Sequence, residues 1–169
     1  VARGRRRHVW VSVSKDLYDD AQRDLRDLGL ERLAAKGCYL LGRANLNRAG
    51  DGVVFATYST LIRGTGETSR LQELFDWCGG EGFDGLLMFD ECHKAKTVSL
   101  DSNGNVNAAK SSQTAAAVTK LQEILPRARV VYCSATAATE PSNMAFMSRL
   151  GLWGAGTEYR EVNEFIGRM

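Results

Sequence analysis

Short apolar runs alternate along the chain with longer amphipathic segments, and most of the runs end in polar residues. An apolar run of this length, bounded by turn residues and charges, is typical of a strand buried in a parallel sheet. The runs predict strands at 8–13, 53–56 and 86–89 and from Val130 onward, with a weaker one at 38–41. Each of the four stronger strands leads into hydroxyl or carboxylate side chains.

The segments between these strands have helical spacing. Leu17, Ala21, Leu25 and Leu28 form one apolar stripe over 15–28, and Gly29 is a suitable stop. Further helices are predicted at 69–78, 113–125, 140–150 and 162–169. Strands alternating with helices favour an α/β domain of three layers around a parallel sheet.

Two adjacent carboxylates, Asp90 and Glu91, directly follow the strand at 86–89. Ligands of open α/β sheets bind beyond the carboxyl ends of the strands, so this pair is expected at a site. One carboxylate can hold Mg²⁺, and the other can orient or deprotonate an attacking water. An ordinary loop or a helix N-cap is the alternative that the local pattern leaves open.

A second stretch, Ser134-Ala135-Thr136, follows the strand at Val130. Together with Asp90-Glu91-Cys92-His93 it resembles motifs II and III of superfamily 2 helicases and translocases. The longer strings FDECHKAK from Phe89 and SATAATEPSNM from Ser134 resemble the strawberry notch family of helicase-related proteins. The strings WVSVS from Trp10, DLRDL from Asp24 and DWCGG from Asp76 carry the same resemblance, which runs from His8 to Met169.

The resemblance implies roles for individual residues. Asp90 would hold Mg²⁺ through water, and Glu91 would act on the water that attacks ATP. His93, grouped with them as catalytic, would also help Ser134 and Thr136 to link the nucleotide site to the nucleic-acid surface and the second motor domain. Ser134, Ala135 and Thr136 would couple the nucleotide site to nucleic acid and to a second RecA-like domain.

Ser14, Thr57 and Tyr58 are expected at the nucleic-acid surface. Thr57 and Tyr58 lie in the turn after the strand at 53–56, which resembles motif Ib, and Ser14 follows the strand at 8–13. A Ser/Thr cap for the following turn is an equal alternative for Thr57 and its neighbours.

No G-x-x-x-x-G-K-[ST] phosphate loop occurs in the 169 residues. The string Gly64-Thr-Gly-Glu67-Thr comes near it, but Glu67 stands where lysine should bind the phosphates. We therefore expect 1–169 to be one partial RecA-like P-loop NTPase domain, truncated at both ends and lacking the N-terminal phosphate-loop strand. We also expect the chain alone not to hydrolyse ATP.

Composition places only a few further limits on the possible partners, metal sites and compartment. The net charge of +2 shows no global basic field for nucleic acid. The four cysteines contain no C-x-x-C pair, which disfavours zinc and a disulfide framework and favours a reducing compartment. No apolar run has the length of a membrane span. Arg5, Arg6 and Arg7 can touch phosphates or form a solvated end.

The leading hypothesis is a part of an ATP-dependent helicase-like or translocase-like motor that uses ATP and Mg²⁺ and acts on DNA or RNA. The strawberry notch resemblance implies a nuclear transcription regulator with chromatin or transcription proteins as partners. The alternative is a non-catalytic RecA-like module that acts as a transcription cofactor through protein contacts. A non-helicase NTPase is disfavoured, since Ser134-Ala135-Thr136 is typical of motors coupled to nucleic acid.

Overall fold

Five short strands form one all-parallel sheet in the order β2-β3-β1-β4-β5. The computed structural model describes residues 4–101, 106–107, 109–135 and 140–169. The strands are Arg7–Ser12 (β1), Cys38–Leu40 (β2), Gly52–Thr57 (β3), Leu86–Phe89 (β4) and Arg129–Tyr132 (β5). The chain runs to one side of β1 for β2 and β3, and to the other side for β4 and β5. Such a reversal of strand order beside β1 is where open α/β sheets bind ligands.

Helices cover both faces of this sheet. They are Leu17–Asp27 (α1), Glu31–Lys36 (α2), Tyr58–Leu61 (α3), Arg70–Cys78 (α4), Gln113–Ile124 (α5) and Val162–Arg168 (α6). Ala21 of α1 packs with Phe55 of β3 on one face. Leu74 of α4 and Leu121 of α5 belong to the larger core on the other face, which also contains Val11 of β1. The predicted three-layer α/β architecture with a parallel sheet is confirmed.

Hydroxyl caps begin the two longer helices of the larger core. The Ser69 Oγ accepts a hydrogen bond from the Gln72 amide at 3.1 Å, and the Ser112 Oγ accepts one from the Ala115 amide at 3.1 Å. Each cap of this kind stabilises a helix by about 1 kcal/mol. Gly79 ends α4 at φ 89°, a left-handed conformation that glycine adopts without strain. Local sequence signals therefore fix where these helices lie.

Three predictions about elements were wrong. The segment 140–150 forms only a single 3-10 turn at Pro141–Met144 and not a helix, although Met144 and Met147 have helical spacing. Helix α1 ends at Asp27, so Leu28 leaves the apolar stripe and is 74% exposed. Strand β1 ends at Ser12 and not beside Ser14. The hydroxyl at the end of β1 that contacts the residue after β4 is therefore that of Ser12 and not that of Ser14.

Candidate active site at the carboxyl edge of the sheet

The Asp90 carboxylate is fixed by donors from the protein on both of its oxygens. Ser12, the last residue of β1, has a fully buried side chain and donates from its Oγ to Asp90 Oδ2 at 2.8 Å. The Glu91 amide donates to Asp90 Oδ1 at 3.0 Å. The Asp90 amide continues the pairing of β1 with β4 by donating to the Val11 carbonyl at 2.8 Å. The carboxylate is therefore held at the switch point of the sheet with one orientation.

The main chain at Asp90 is held from a third element. Tyr58, the first residue of α3, is buried, and its hydroxyl donates to the Asp90 carbonyl at 2.8 Å. Burial, together with the nearby Cys92 thiol and the two carboxylates, raises the pKa of Tyr58. The phenol therefore stays a neutral donor at neutral pH.

Glu91 occupies a left-handed conformation, with φ 48° and ψ 44°. It is the only residue other than glycine with positive φ among the described residues. This conformation costs a side-chain-bearing residue about 1–2 kcal/mol. Flanking hydrogen bonds hold the turn: Cys92 N donates to the Cys133 carbonyl at 2.9 Å, and Lys94 N donates to the Glu91 carbonyl at 3.1 Å. Strain of this kind is concentrated at functional sites.

The side chains of Glu91 and His93 meet the loop that follows β5. His93 Nδ1 lies 3.0 Å from Ser134 Oγ and 3.3 Å from Glu91 Oε2. Glu91 Oε2 itself is buried and has no hydrogen-bond partner in the described part of the chain. One ring nitrogen thus faces two oxygens and can serve only one of them well at a time. His93 Nδ1 approaches Glu91 Oε2 without making a hydrogen bond to it, so this buried carboxylate oxygen is suited to a water or a cation supplied from outside the chain.

The structure brings Asp90, Glu91, His93 and Ser134 together and leaves the other predicted residues in different settings. Ala135 is exposed beside Ser134, and Thr136 lies outside the described residues. Ser14 is occupied locally, since its Oγ donates to the Asp16 carboxylate at 3.0 Å.

Thr57 and Tyr58 are both buried. Thr57 Oγ1 accepts from the Thr60 amide at 3.1 Å, which is the capping arrangement that the sequence had left open. Ser59 is the exposed residue of this turn. A nucleic-acid contact by Ser14, Thr57 or Tyr58 stays a prediction.

Ser12 is the site residue that the sequence pattern missed. The apolar run to Val13 suggested a strand that continued past Ser12, with Ser14 as its polar end. The register pairs Val11 with Phe89, which places Ser12 beside Asp90. A serine inside an apolar run, one strand away from a carboxylate, was the available signal.

The two cysteines of this edge are a buried thiol, Cys92, and a partly buried thiol, Cys133. Burial raises the pKa of Cys92 to about 11 and also raises the pKa of Cys133, so both thiols stay protonated at neutral pH and are poor nucleophiles. Among the described residues there is no group of three or more His, Cys, Asp or Glu side chains that could hold a metal. The loop from Gly64 to Thr68, with Glu67, is exposed.

Arginines occupy the opposite, amino edge of the sheet. Arg7 pairs with Asp51 at 3.1 Å, Arg6 pairs with Asp51 at 3.6 Å, and Arg5 pairs with Asp84 at 3.4 Å. These arginines are therefore engaged with carboxylates of the same chain.

No helix of the described residues combines the length and the hydropathy that crossing a membrane requires.

The five-stranded parallel sheet with helices on both faces is the architecture of a P-loop NTPase domain, and comparison with known proteins gives the family. The family model described as P-loop containing NTP hydrolase pore-1 matches residues 1–169, and the chain belongs to this family. The chain is 48% identical over 172 residues to protein strawberry notch homolog 1 of Gallus gallus, covering 96% of this chain and 13% of that protein. The resemblance to the strawberry notch family is confirmed.

Relatives from an insect and a plant give the same result. The chain is 46% identical over 174 residues to protein strawberry notch of Drosophila melanogaster, covering 97% of this chain and 10% of the relative. It is 44% identical over 171 residues to protein FORGETTER 1 of Arabidopsis thaliana, covering 98% of this chain and 13% of the relative. The chain thus spans roughly an eighth of the length of the curated relatives it matches.

Proposed function

We propose that this chain carries the water-activating edge of an ATP-hydrolysing motor that acts on nucleic acid. The observation that carries the proposal is the buried Glu91 Oε2, which His93 Nδ1 approaches at 3.3 Å and which makes no hydrogen bond in the described residues. It is held in a strained turn beside an Asp90 that is fixed on both oxygens. A general base needs an acceptor oxygen of this kind within reach of a water. A carboxylate that serves only as a cap would make its own hydrogen bonds to the chain.

The residues fit Mg²⁺ and ATP as far as this chain supplies ligands. Mg²⁺ is commonly bound through one or two carboxylates, with waters and phosphate oxygens completing its shell, so one fixed Asp90 is enough from this side. When bound, the ion would neutralise charge on the nucleotide phosphates. Ser12 and the Glu91 amide keep the Asp90 carboxylate aimed, and Glu91 orients the water and accepts its proton.

His93 and Ser134 are proposed to couple changes in the contacts of the Glu91 carboxylate to the rest of the motor. The His93 Nδ1 lies between Glu91 Oε2 and Ser134 Oγ, so a water that binds Glu91 changes which oxygen the imidazole contacts. Ser134 lies in the loop after β5, and Ala135 and Thr136 follow it. In the complete protein this loop would contact nucleic acid and a second RecA-like domain.

The biological setting is proposed from the family relationship. The parent protein would act in the nucleus on DNA or chromatin, as a regulator of transcription, with chromatin or transcription proteins as partners. One observation favours a different function: the 169 residues contain no phosphate-loop lysine motif. A non-catalytic RecA-like module that binds transcription proteins would not need that motif.

ATP hydrolysis by the full-length protein, with and without DNA and RNA oligonucleotides, separates the two functions. The motor proposal predicts hydrolysis that nucleic acid stimulates, and no hydrolysis by the 169-residue chain alone. Absence of hydrolysis by the full-length protein under all of these conditions would leave the non-catalytic module as the better account.

A further inference from the structure

The Tyr58 hydroxyl links two segments that the sequence pattern had treated separately. Tyr58 stands between Thr57, at the end of β3, and the exposed Ser59. Its hydroxyl crosses to the end of β4 and donates to the Asp90 carbonyl at 2.8 Å. The side chain is only 5% exposed, so it has little surface to offer a ligand.

The carbonyl that accepts this bond belongs to the peptide group that joins Asp90 to Glu91. The N–H of the same peptide group donates to Asp90 Oδ1. The peptide plane is therefore held on both sides, by Tyr58 at its oxygen and by the Asp90 carboxylate at its nitrogen. Since φ of Glu91 is measured from this plane, fixing the plane helps to keep Glu91 in its left-handed conformation.

A lost donor would release this arrangement. A part-buried carbonyl without a partner is unfavourable and turns toward water when the chain allows it. A turn of the peptide plane would let Glu91 relax out of the left-handed region and move its side chain away from His93. The hydroxyl is the single donor from α3 that opposes this relaxation in the described part of the chain.

We propose that Tyr58 is a positioning residue for Glu91: its hydroxyl holds the Asp90–Glu91 peptide group and so places the Glu91 carboxylate to orient and deprotonate the water that attacks ATP. The role rests on the proposed function, since it matters for rate only if Glu91 acts on water. It differs from the predicted nucleic-acid contact, because the hydroxyl is already committed inside the protein.

The test replaces only the hydroxyl, as Tyr58→Phe in the full-length protein. Tyr18→Phe is the matched control, because the Tyr18 hydroxyl also donates to a main-chain carbonyl, that of Cys38 at 2.7 Å, away from this edge. We expect Tyr58→Phe to lower kcat for ATP about tenfold with KM for ATP within about twofold of wild type, since a misplaced base affects the transition state more than ATP binding. We expect Tyr18→Phe to leave both kinetic constants near wild type.

Hydrogen exchange of the peptide that covers 90–95 gives a second readout that needs no ATPase activity. Faster exchange there in Tyr58→Phe, but not in Tyr18→Phe, supports the positioning role. Unchanged exchange in Tyr58→Phe overturns it. If the wild-type protein hydrolyses no ATP, the proposed function fails and the exchange result alone decides the role of Tyr58.

The kinetic outcomes also separate positioning from direct binding. An unchanged kcat with a higher nucleic-acid concentration for half-maximal stimulation would assign Tyr58 to the nucleic-acid surface and overturn the proposal. Equal losses of kcat in the Tyr58→Phe and Tyr18→Phe proteins would show a general effect on stability and overturn it as well.

Discussion

The two edges of the sheet each gather polar side chains, but they hold them in opposite ways. At the carboxyl edge, buried hydroxyls of Ser12 and Tyr58 donate to one residue, Asp90. At the amino edge, charged side chains pair in solvent: Arg6 is 77% exposed and Asp51 is 45% exposed in their ion pair. The first edge is held by buried directional hydrogen bonds, and the Arg6–Asp51 contact at the other edge is an exposed ion pair.

The difference separates side chains that fix a geometry from side chains that contribute little to stability. Exposed ion pairs are screened by water and salt and typically contribute about 0–1 kcal/mol each. Removing a buried donor leaves its partner unsatisfied and costs about 1–3 kcal/mol. Substitutions at the carboxyl edge should therefore change chemistry or local conformation, whereas loss of the exposed Arg6–Asp51 ion pair should change little.

Asp90→Asn is expected to have the largest effect on chemistry with the smallest effect on the fold. An asparagine keeps an acceptor for the Glu91 amide, and the Ser12 hydroxyl can accept from the new amide nitrogen, so the hydrogen bonds survive without the charge. We expect kcat of the full-length protein to fall about 100-fold or more, because charge stabilisation of this kind contributes about that factor. Thermal unfolding and steady-state ATPase assays measure the two effects. A large loss of Tm with retained kcat would mean that Asp90 is structural only.

Ser12→Ala tests whether a buried hydroxyl aims the carboxylate. The variant removes the donor to Asp90 Oδ2 and should lower the free energy of unfolding by about 1–2 kcal/mol. We also expect a several-fold rise in the Mg²⁺ concentration that gives half-maximal ATPase activity, since the carboxylate gains freedom. Ser14→Ala is the matched control, because its hydroxyl bonds locally to Asp16. The same Mg²⁺ dependence in both variants would contradict the aiming role of Ser12.

Glu91→Gly tests the strain directly. Glycine adopts the left-handed conformation at no steric cost, whereas Glu91→Ala retains the strain, so the glycine variant should be the more stable of the two by about 1 kcal/mol. Urea unfolding of both variants measures this difference. An alanine variant as stable as the glycine variant would show that the turn is relaxed in solution.

Asp51→Asn is expected to have the smallest effect. It removes the charge that Arg6 and Arg7 share at the amino edge and should lower the free energy of unfolding by less than about 1 kcal/mol. Added salt should shrink this difference further. A loss well above that range would mean that the amino edge is structurally as important as the carboxyl edge.

The sequence pattern predicted what depends on local spacing. The strand at Leu86–Phe89 and the helix Arg70–Cys78 were found where the apolar run and the apolar periodicity of 69–78 predicted them. The stretch after Pro141 had helical methionine spacing, yet it forms only a 3-10 turn. Phe146 there is fully buried, and its carbonyl accepts from the Gln122 amide at 2.8 Å, so tertiary contacts outweigh local propensity.

The candidate site could be predicted only in part, for a physical reason. Asp90 and Glu91 were identified from their position after a strand, and His93 and Ser134 from the resemblance. Their mutual arrangement depends on donors far away in sequence, such as Ser12 and Tyr58, which no local pattern connects to Asp90. The left-handed conformation falls on Glu91, so no glycine at this position indicates it in the sequence.

The most direct test of the account is ATP hydrolysis by the full-length protein carrying Glu91→Gln, beside wild type and Asp51→Asn. Glutamine keeps the size of the side chain but is not a base. The account predicts that wild type and Asp51→Asn hydrolyse ATP alike and that Glu91→Gln loses a factor of about 100 or more in kcat. Hydrolysis by Glu91→Gln at the wild-type rate would contradict the assignment of the carboxyl edge as the catalytic edge.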